Sequence, residues 1–350
     1  MVRVATAVSG SSLLAGAWLF AQAPAPPALN DTLTAVPGIR VGHNTLSDRP
    51  TGCTAVLVDG DAVGAVEQRG GAPATRETDL LNPANLVDKV NAISLSGGSA
   101  FGLDAASGVS RWLEEHSIGW RTDVARVPIV PGASIFDLTV GGRPDVRPTA
   151  DCGYKAAKAA NDVPVQEGNV GAGAGATVGK IRGSGRAMKA GIGSAAIRRL
   201  DGLIVAALVV VNAAGDVIDP LTGRVVAGVR NADGTLADIH RLLRSTPGTV
   251  SGRAGENTTI GVVATNATLT KIEAARVAMM ADDGYARAIN PVHTLSDGDT
   301  VFVLATGRLS ARQDVSVVGA LAAEVVADAI VRAATQATGI PGYPAARDLR

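Results

Sequence analysis

Aromatic residues make up only 3% of this 350-residue chain, and there is no excess of basic over acidic side chains: 32 Lys plus Arg face 32 Asp plus Glu. Without a cationic surface or a set of stacking rings, the chain has neither the electrostatic nor the aromatic means to hold a nucleic acid. Cysteine is nearly absent. Cys53 and Cys152 show no C-x-x-C spacing, which excludes the usual zinc and dithiol motifs and leaves pairing in an oxidising compartment open. No apolar run is long enough for a membrane-spanning helix. What the chain has in quantity is glycine, 42 residues, with Ala and Val supplying most of its apolar content. That composition points to close backbone packing rather than disorder.

The start of the chain carries Arg3, a short apolar stretch from Leu13 to Phe20, and Ala21-Gln22-Ala23 before Pro24. A basic start, a short apolar run and a small-x-small site predict a secretory signal over residues 1–23. A cytoplasmic protein with an unordered tail is the other reading. Residues 24–34, rich in Pro and Ala, read as a linker. Residues 35–350 read as one domain, because no linker-like break follows.

Within that domain, β-branched runs at Ala55–Val58, Leu203–Val211, Ile260–Thr265 and Val301–Thr306 predict buried strands. Helical patterns cover Phe101–Glu115, Leu269–Asp283 (ending at Gly284) and Val317–Ala337, the last apolar on most faces. Mixed strands and helices of this kind predict layered α/β packing.

The densest polar constellation lies between Asn257 and Thr300. Gly-Glu-Asn257-Thr258-Thr-Ile is a polar turn entering an apolar strand, and a threonine there projects its hydroxyl from a rigid element. A threonine hydroxyl stays protonated near neutral pH. A neighbouring α-amine, with a reference pKa of about 7.7–8.0, can take its proton. That pairing requires the Asn257–Thr258 bond to be cut first. The same residues also read as a plain loop-to-strand junction and as an N-glycosylation acceptor.

Asp297 and Asp299 flank a glycine in a turn signal ahead of Val301–Thr306. Together with His293 they mimic part of a metal cluster, but no convincing remaining ligand set accompanies them. Gly171–Lys180 resembles a phosphate loop only superficially. Ala174 stands where that loop needs Gly, and Ile181 where it needs Ser or Thr. Ser99 lacks the Gly-x-Ser-x-Gly elbow, since Phe101 replaces the last glycine. A Ser99 hydrolase using His43 or His293 is the weaker enzymatic reading.

Several separated segments, in one order, resemble the P1 peptidase family of DmpA-type L-aminopeptidase/D-esterases, β-peptidyl aminopeptidases and nylon-oligomer hydrolases. They are Val36-Pro-Gly-Ile-Arg-Val-Gly-His43, Ser94-Leu-Ser-Gly-Gly-Ser-Ala-Phe-Gly-Leu-Asp104, Gly171–Lys180, Val209-Val-Val-Asn212, Asn257–Asn266 and His293–Phe302. The resemblance spans about residues 30 to 340. It implies an N-terminal-nucleophile-like α/β/β/α sandwich, self-cleaved into an α chain ending at Asn257 and a β chain of residues 258–350 that carries the last two helices.

By position, the resemblance makes Thr258 the nucleophile and Asn212 a donor to the developing oxyanion. Lys180 becomes an active-site cation, and Asp297 and Asp299 an acidic pair near the nucleophile and its amine. Read alone, Asn212 is a turn former and Lys180 a solvated loop residue. Phe136 occupies a position where some members have a tyrosine whose hydroxyl assists the oxyanion, and phenylalanine cannot donate. The Asp297/Asp299 pair tilts the resemblance toward the nylon-oligomer hydrolases. The implied substrates are small peptides, amides or oligoamides, with no cofactor, and the implied assembly is a homo-oligomer such as a tetramer. An acyltransferase of the ornithine-acetyltransferase type and a catalytically silent fold are the competing classes.

Overall fold

A computed structural model describes residues 29–245 and 256–349, together with residues 1, 2, 4, 5 and 7. The expected signal segment and most of the expected linker lie outside the described residues. Nine strands form the principal hydrogen-bonded array: β1 (Ile39–Thr45), β2 (Gly52–Gln68), β3 (Thr75–Arg76), β4 (Lys89–Ser96), β5 (Gly132–Ser134), β6 (Ile192–Arg198), β7 (Ile204–Asn212), β8 (Thr258–Thr265) and β9 (Thr300–Ala305). Four helices cover it: α1 (Ala105–Glu115), α2 (Ala150–Ala159), α3 (Lys271–Ala288) and α4 (Val315–Thr335).

The strand order is β6-β7-β8-β9-β2-β4-β5-β3, with β1 also on β2. The 17-residue β2 is the seam. Its first half pairs with β1 and β4, its register shifts between Leu57 and Ala62, and its second half pairs with β9. Exposed Asp59, Gly60 and Asp61 mark the break, and Gly60 takes a φ of +93° that favours glycine there.

Side-chain alternation along the strands assigns the layers. In β7, Ala206, Leu208 and Val210 join Ile260, Val262, Phe302 and Leu304 in a core shared with Val56, Val58, Ile93 and Leu95 from the other half. The intervening Val205, Ala207, Val209 and Val211 pack instead with α3 and α4. On the far side, Cys53, Ala55, Leu57 and Ala92 pack against α1 and α2. The layers therefore run α3/α4, sheet, sheet, α1/α2, which is the predicted α/β/β/α sandwich. Strands buried on both faces explain why the predicted runs were continuously apolar rather than alternating.

Local chemistry sets the helix ends and moves several of the expected boundaries. Residues 99–104 form a 3-10 turn, so α1 starts at Ala105 rather than Phe101. Thr270 and Glu273 form a capping box that starts α3, and Asp314 accepts from Ser316 N to start α4. The helix expected to stop at Gly284 runs on to Ala288. A methyl group at Gly284 would lie 2.5 Å from the Ala323 carbonyl oxygen, so this glycine lets α3 and α4 approach instead of ending a helix. The turn at Asp297–Asp299 does not close a hairpin either: β9 runs parallel to β8, with α3 between them in the chain.

Among the described residues no helix is long and apolar enough to cross a membrane. Cys53 on β2 and Cys152 on α2 are disulfide-bonded.

Candidate active site

The sandwich brings four of the predicted residues to one end of the layer between its sheets. Thr258 opens β8 directly opposite Asn212, the last residue of β7. Both share strand parity with residues of the inter-sheet core, so both address the space between the sheets. Thr258, Asn212, Asp297 and Asp299 are all buried.

Thr258 Oγ1 donates to the carbonyl oxygen of Asn257, and Gly298 N donates to the same oxygen at 2.9 Å. Asn257 is itself buried, with its Nδ2 3.3 Å from Ser296 Oγ. The folded chain therefore withholds the asparagine from the glycosylation reading. The side chain of Asn212 bridges the layers. Its Oδ1 accepts from Thr177 N at 3.1 Å, and its Nδ2 donates to the Phe136 carbonyl at 2.9 Å. Phe136 thus enters the site through its backbone. The next residue fixes that backbone: buried Asp137 accepts from Arg49 Nη2 at 2.8 Å, Thr51 Oγ1 at 2.6 Å and Gly98 N at 2.9 Å.

Lys180 does not lie free in solvent. Its Nζ donates to the carbonyls of Asn212 at 2.8 Å and Glu256 at 3.0 Å, joining β7 to the residue just before Asn257. Burial of the ammonium pulls its pKa down to about 7, although the charges of Asp297 and Glu256 oppose the shift. The Gly171–Ala176 segment leading to Lys180 is packed as closely as its composition predicts. Methyl groups at Gly173 and Gly175 would fall 2.5 Å from Ile192 N and 2.4 Å from the Pro50 carbonyl oxygen.

The two aspartates hold different positions. Asp297 accepts from Thr294 N at 3.0 Å and from Ala214 N at 3.4 Å. Burial first, and the charge of Asp299 second, raise its pKa. Asp299 Oδ1 accepts from Thr259 N at 2.7 Å, the peptide immediately after Thr258. Its Oδ2 accepts from both the backbone N and the Nδ1 of His293, each at 3.0 Å. His293 therefore belongs to a carboxylate network, and His43 is occupied by Thr54, 2.9 Å from its Nδ1. Both histidines of the Ser99 reading are thus engaged elsewhere.

Sequence reasoning did not single out Asp282, Arg69, Gly298 or Lys189. Asp282 had a legible signal, since it shares a helical face with the buried Ala278, Ala281 and Tyr285. Gly298 acts through its backbone, and Arg69 and Lys189 are brought in by tertiary packing alone.

The chain matches Peptidase family S58 over residues 31–347. It belongs to that family. An uncharacterised aminopeptidase of Mycobacterium tuberculosis (strain ATCC 25618 / H37Rv) is 45% identical over 352 aligned residues, covering 91% of this chain and 98% of that protein. A 6-aminohexanoate-oligomer endohydrolase of Paenarthrobacter ureafaciens is 32% identical over 318 residues, covering 85% of this chain and 84% of that protein. Among solved structures, the L-aminopeptidase D-Ala-esterase/amidase from Ochrobactrum anthropi superposes with a TM-score of 0.66 at 20% identity, over 90% of this chain and 89% of that one. That likeness establishes the N-terminal-nucleophile hydrolase fold. As a member of Peptidase family S58, the protein is a hydrolase acting on amide bonds.

Proposed function

We propose that the protein is a self-processing amide hydrolase whose nucleophile is the Thr258 hydroxyl, acting on small peptides, β-peptides or oligoamides. The observation that carries this reading is the setting of the Asn257–Thr258 peptide. The hydroxyl lies against the carbonyl it would attack, and that carbonyl oxygen already accepts from Gly298 N.

In maturation, Oγ1 bonds to the Asn257 carbonyl carbon while its proton passes to a base. Lys180, with a pKa of about 7, is the group suited to that role. The base returns that proton to the amide nitrogen as the C–N bond breaks, so the nitrogen leaves as the α-amine of Thr258, and an ester joins Asn257 to Oγ1. Water hydrolyses the ester, freeing the Asn257 carboxylate and restoring the hydroxyl. In turnover, the α-amine takes the hydroxyl proton as oxygen attacks a substrate amide. The leaving amine is reprotonated and departs, and water releases the acyl group. The second N–H of Asn212 Nδ2 and nearby backbone N–H groups are suited to stabilise the oxyanion. Neither stage needs a cofactor.

Two further features bear on where the enzyme works. The basic, apolar and small-residue start of the chain and the Cys53–Cys152 disulfide both support export to an oxidising compartment.

Intact mass and N-terminal sequencing of the purified protein, beside a Thr258→Ala variant, test the reading. Two fragments, one beginning Thr-Thr-Ile-Gly, with the variant uncut, are expected. A wild-type chain that stays whole overturns self-processing.

A further inference from the structure

Behind the two aspartates runs a line of charged side chains that the proposed chemistry does not use. His293 Nδ1 lies 3.0 Å from Asp299 Oδ2, and its Nε2 lies 3.0 Å from Asp282 Oδ2 on α3. Asp282 has no exposed side-chain surface, and its Oδ2 is 3.2 Å from Arg69 Nε at the end of β2. Arg69 in turn meets Glu67 at 3.2 Å and Asp283 at 3.1 Å. The Tyr285 ring stands 6.1 Å from the imidazole, centroid to centroid. These groups and Asp299 are the titratable and charged neighbours that face His293 from β2, α3 and its own turn. The segment's backbone contributes as well: His293 takes a φ of +57°, and its N–H donates to the same Asp299 oxygen as its ring.

An imidazole with a carboxylate at each nitrogen needs a proton on both, so it is the cation that fits this setting. One oxygen of Asp299 is thereby held by a ring N–H and a backbone N–H, and the other points at Thr259 N. Among the described residues Asp297 has no cation in ion-pair contact; its hydrogen-bond partners are Thr294 and Ala214. Lys180, which feels its charge, donates instead to the Asn212 and Glu256 carbonyls. The two carboxylates flank Gly298, where a methyl group would lie 2.9 Å from Thr258 Oγ1. A close carboxylate pair cannot easily ionise together unless something distinguishes its members.

We propose that His293, clamped between Asp299 and Asp282, is a positioning residue that keeps Asp299 ionised and aimed at the Thr258–Thr259 peptide, leaving Asp297 as the member of the pair that exchanges protons. The inference rests on the reading of Thr258 as the nucleophile. It agrees with the directions of the neighbouring equilibria. Burial opposes charge on His293, but the flanking carboxylates of Asp282, an ion pair, and Asp299, a hydrogen-bonded one, outweigh it and raise its pKa to about 9. Burial and the Asp299 charge raise that of Asp297.

The test is the pH dependence of self-cleavage in Asp282→Asn, followed by intact mass from pH 6 to pH 9. With one carboxylate gone, the imidazolium should lose its proton ~1–3 pH units lower, inside the neutral range. The variant-to-wild-type rate ratio should then fall at least ~10-fold between pH 6 and pH 8. A ratio that stays flat, whether near one or uniformly low, marks a merely structural contact and overturns the proposal.

The uncut Thr258→Ala protein supplies a second measurement should Asp282→Asn fail to fold. By nitrogen-15 NMR of its four histidines, His293 should remain doubly protonated at pH 8. A neutral His293 at pH 7 overturns the proposal. Wild-type protein that never cleaves would instead remove the self-processing reading, while the NMR result would still decide the state of His293.

Discussion

Gly298 donates its backbone N–H to the carbonyl oxygen of Asn257 across 2.9 Å, which makes the turn between the two aspartates part of the Asn257–Thr258 peptide's environment. The same glycine leaves no room for a side chain. A methyl group there would come within 2.9 Å of Thr258 Oγ1 and 2.7 Å of the Ala72 carbonyl oxygen. Gly298→Ala must therefore shift the turn away from β8, withdrawing the donor and crowding the hydroxyl. Losing one preorganised oxyanion donor costs ~10²–10³ in rate, so self-cleavage in this variant should slow by at least ~100-fold. A time course of intact mass after purification checks it, and cleavage at the wild-type rate would remove Gly298 from the mechanism.

Lys180 makes a separate and signed prediction. Its pKa of about 7 means that the neutral amine, the form able to accept the Thr258 proton, grows as pH rises through that value. Self-cleavage should accelerate from pH 5.5 to pH 7.5 and then level off. Lys180→Met should abolish that rise. Lys180→Arg is the sharper test, because a guanidinium keeps the charge near the Asn212 and Glu256 carbonyls but cannot give up a proton in this range. An arginine variant that cleaves as fast as wild type at pH 7.5 would show that charge alone is what the position supplies.

The parts of this protein that were legible in its sequence are those written in local pattern. Leu203–Val211 and Ile260–Thr265 read as buried strands because both faces are covered. Thr258 stood out as a polar residue entering such a run, whereas Asn212 read alone as a turn former and gained a role only through the family resemblance. Their juxtaposition was not legible, since a β7–β8 register joins residues 46 positions apart in the chain only once the sheet exists. Gly284 misled for a related reason. A glycine after an apolar helix reads as a terminator unless the neighbouring helix is known, and here α4 needs its missing side chain. Arg69 and Lys189 were opaque because each is defined by what it faces across the fold.

The disulfide predicts a large stability effect from chain topology alone. Cys53 and Cys152 are 99 residues apart, and the bond fixes α2 against β2 beside the helix-covered core. Closing a loop of this size stabilises a fold by ~4.7 kcal/mol in the chain-entropy description, less where packing already restrains the ends. In the uncut Thr258→Ala background, Cys53→Ala with Cys152→Ala should lower the unfolding free energy by ~3–4 kcal/mol. Urea denaturation measures it, and a thiol assay of the parent protein should find no free cysteine. Two free thiols in native protein purified without reductant would withdraw both this prediction and the support for export.

Lys189 allows a test of buried charge that leaves the proposed chemistry aside. Its side chain is fully enclosed, and its Nζ donates to the carbonyls of Gly173 and Ala176, each at 3.0 Å, and to that of Ala190. Lys189→Met leaves these acceptors short of a donor, and a buried unsatisfied group costs ~1–3 kcal/mol, so ~2 kcal/mol of destabilisation is expected at pH 7. The pH dependence gives the sign. Burial lowers this lysine's pKa from 10.5 to about 7, with the charge of Asp137 opposing. Between those values the unfolded chain therefore holds a proton that the folded one has released, and stability rises with pH across the window. The methionine variant lacks that contribution, so its deficit relative to the parent should widen from pH 7 to pH 9.5. Urea unfolding at the two pH values, again in the uncut Thr258→Ala background, reads the difference directly. A deficit that narrows would mean that Lys189 stays charged in the fold and that its three carbonyls outweigh the burial.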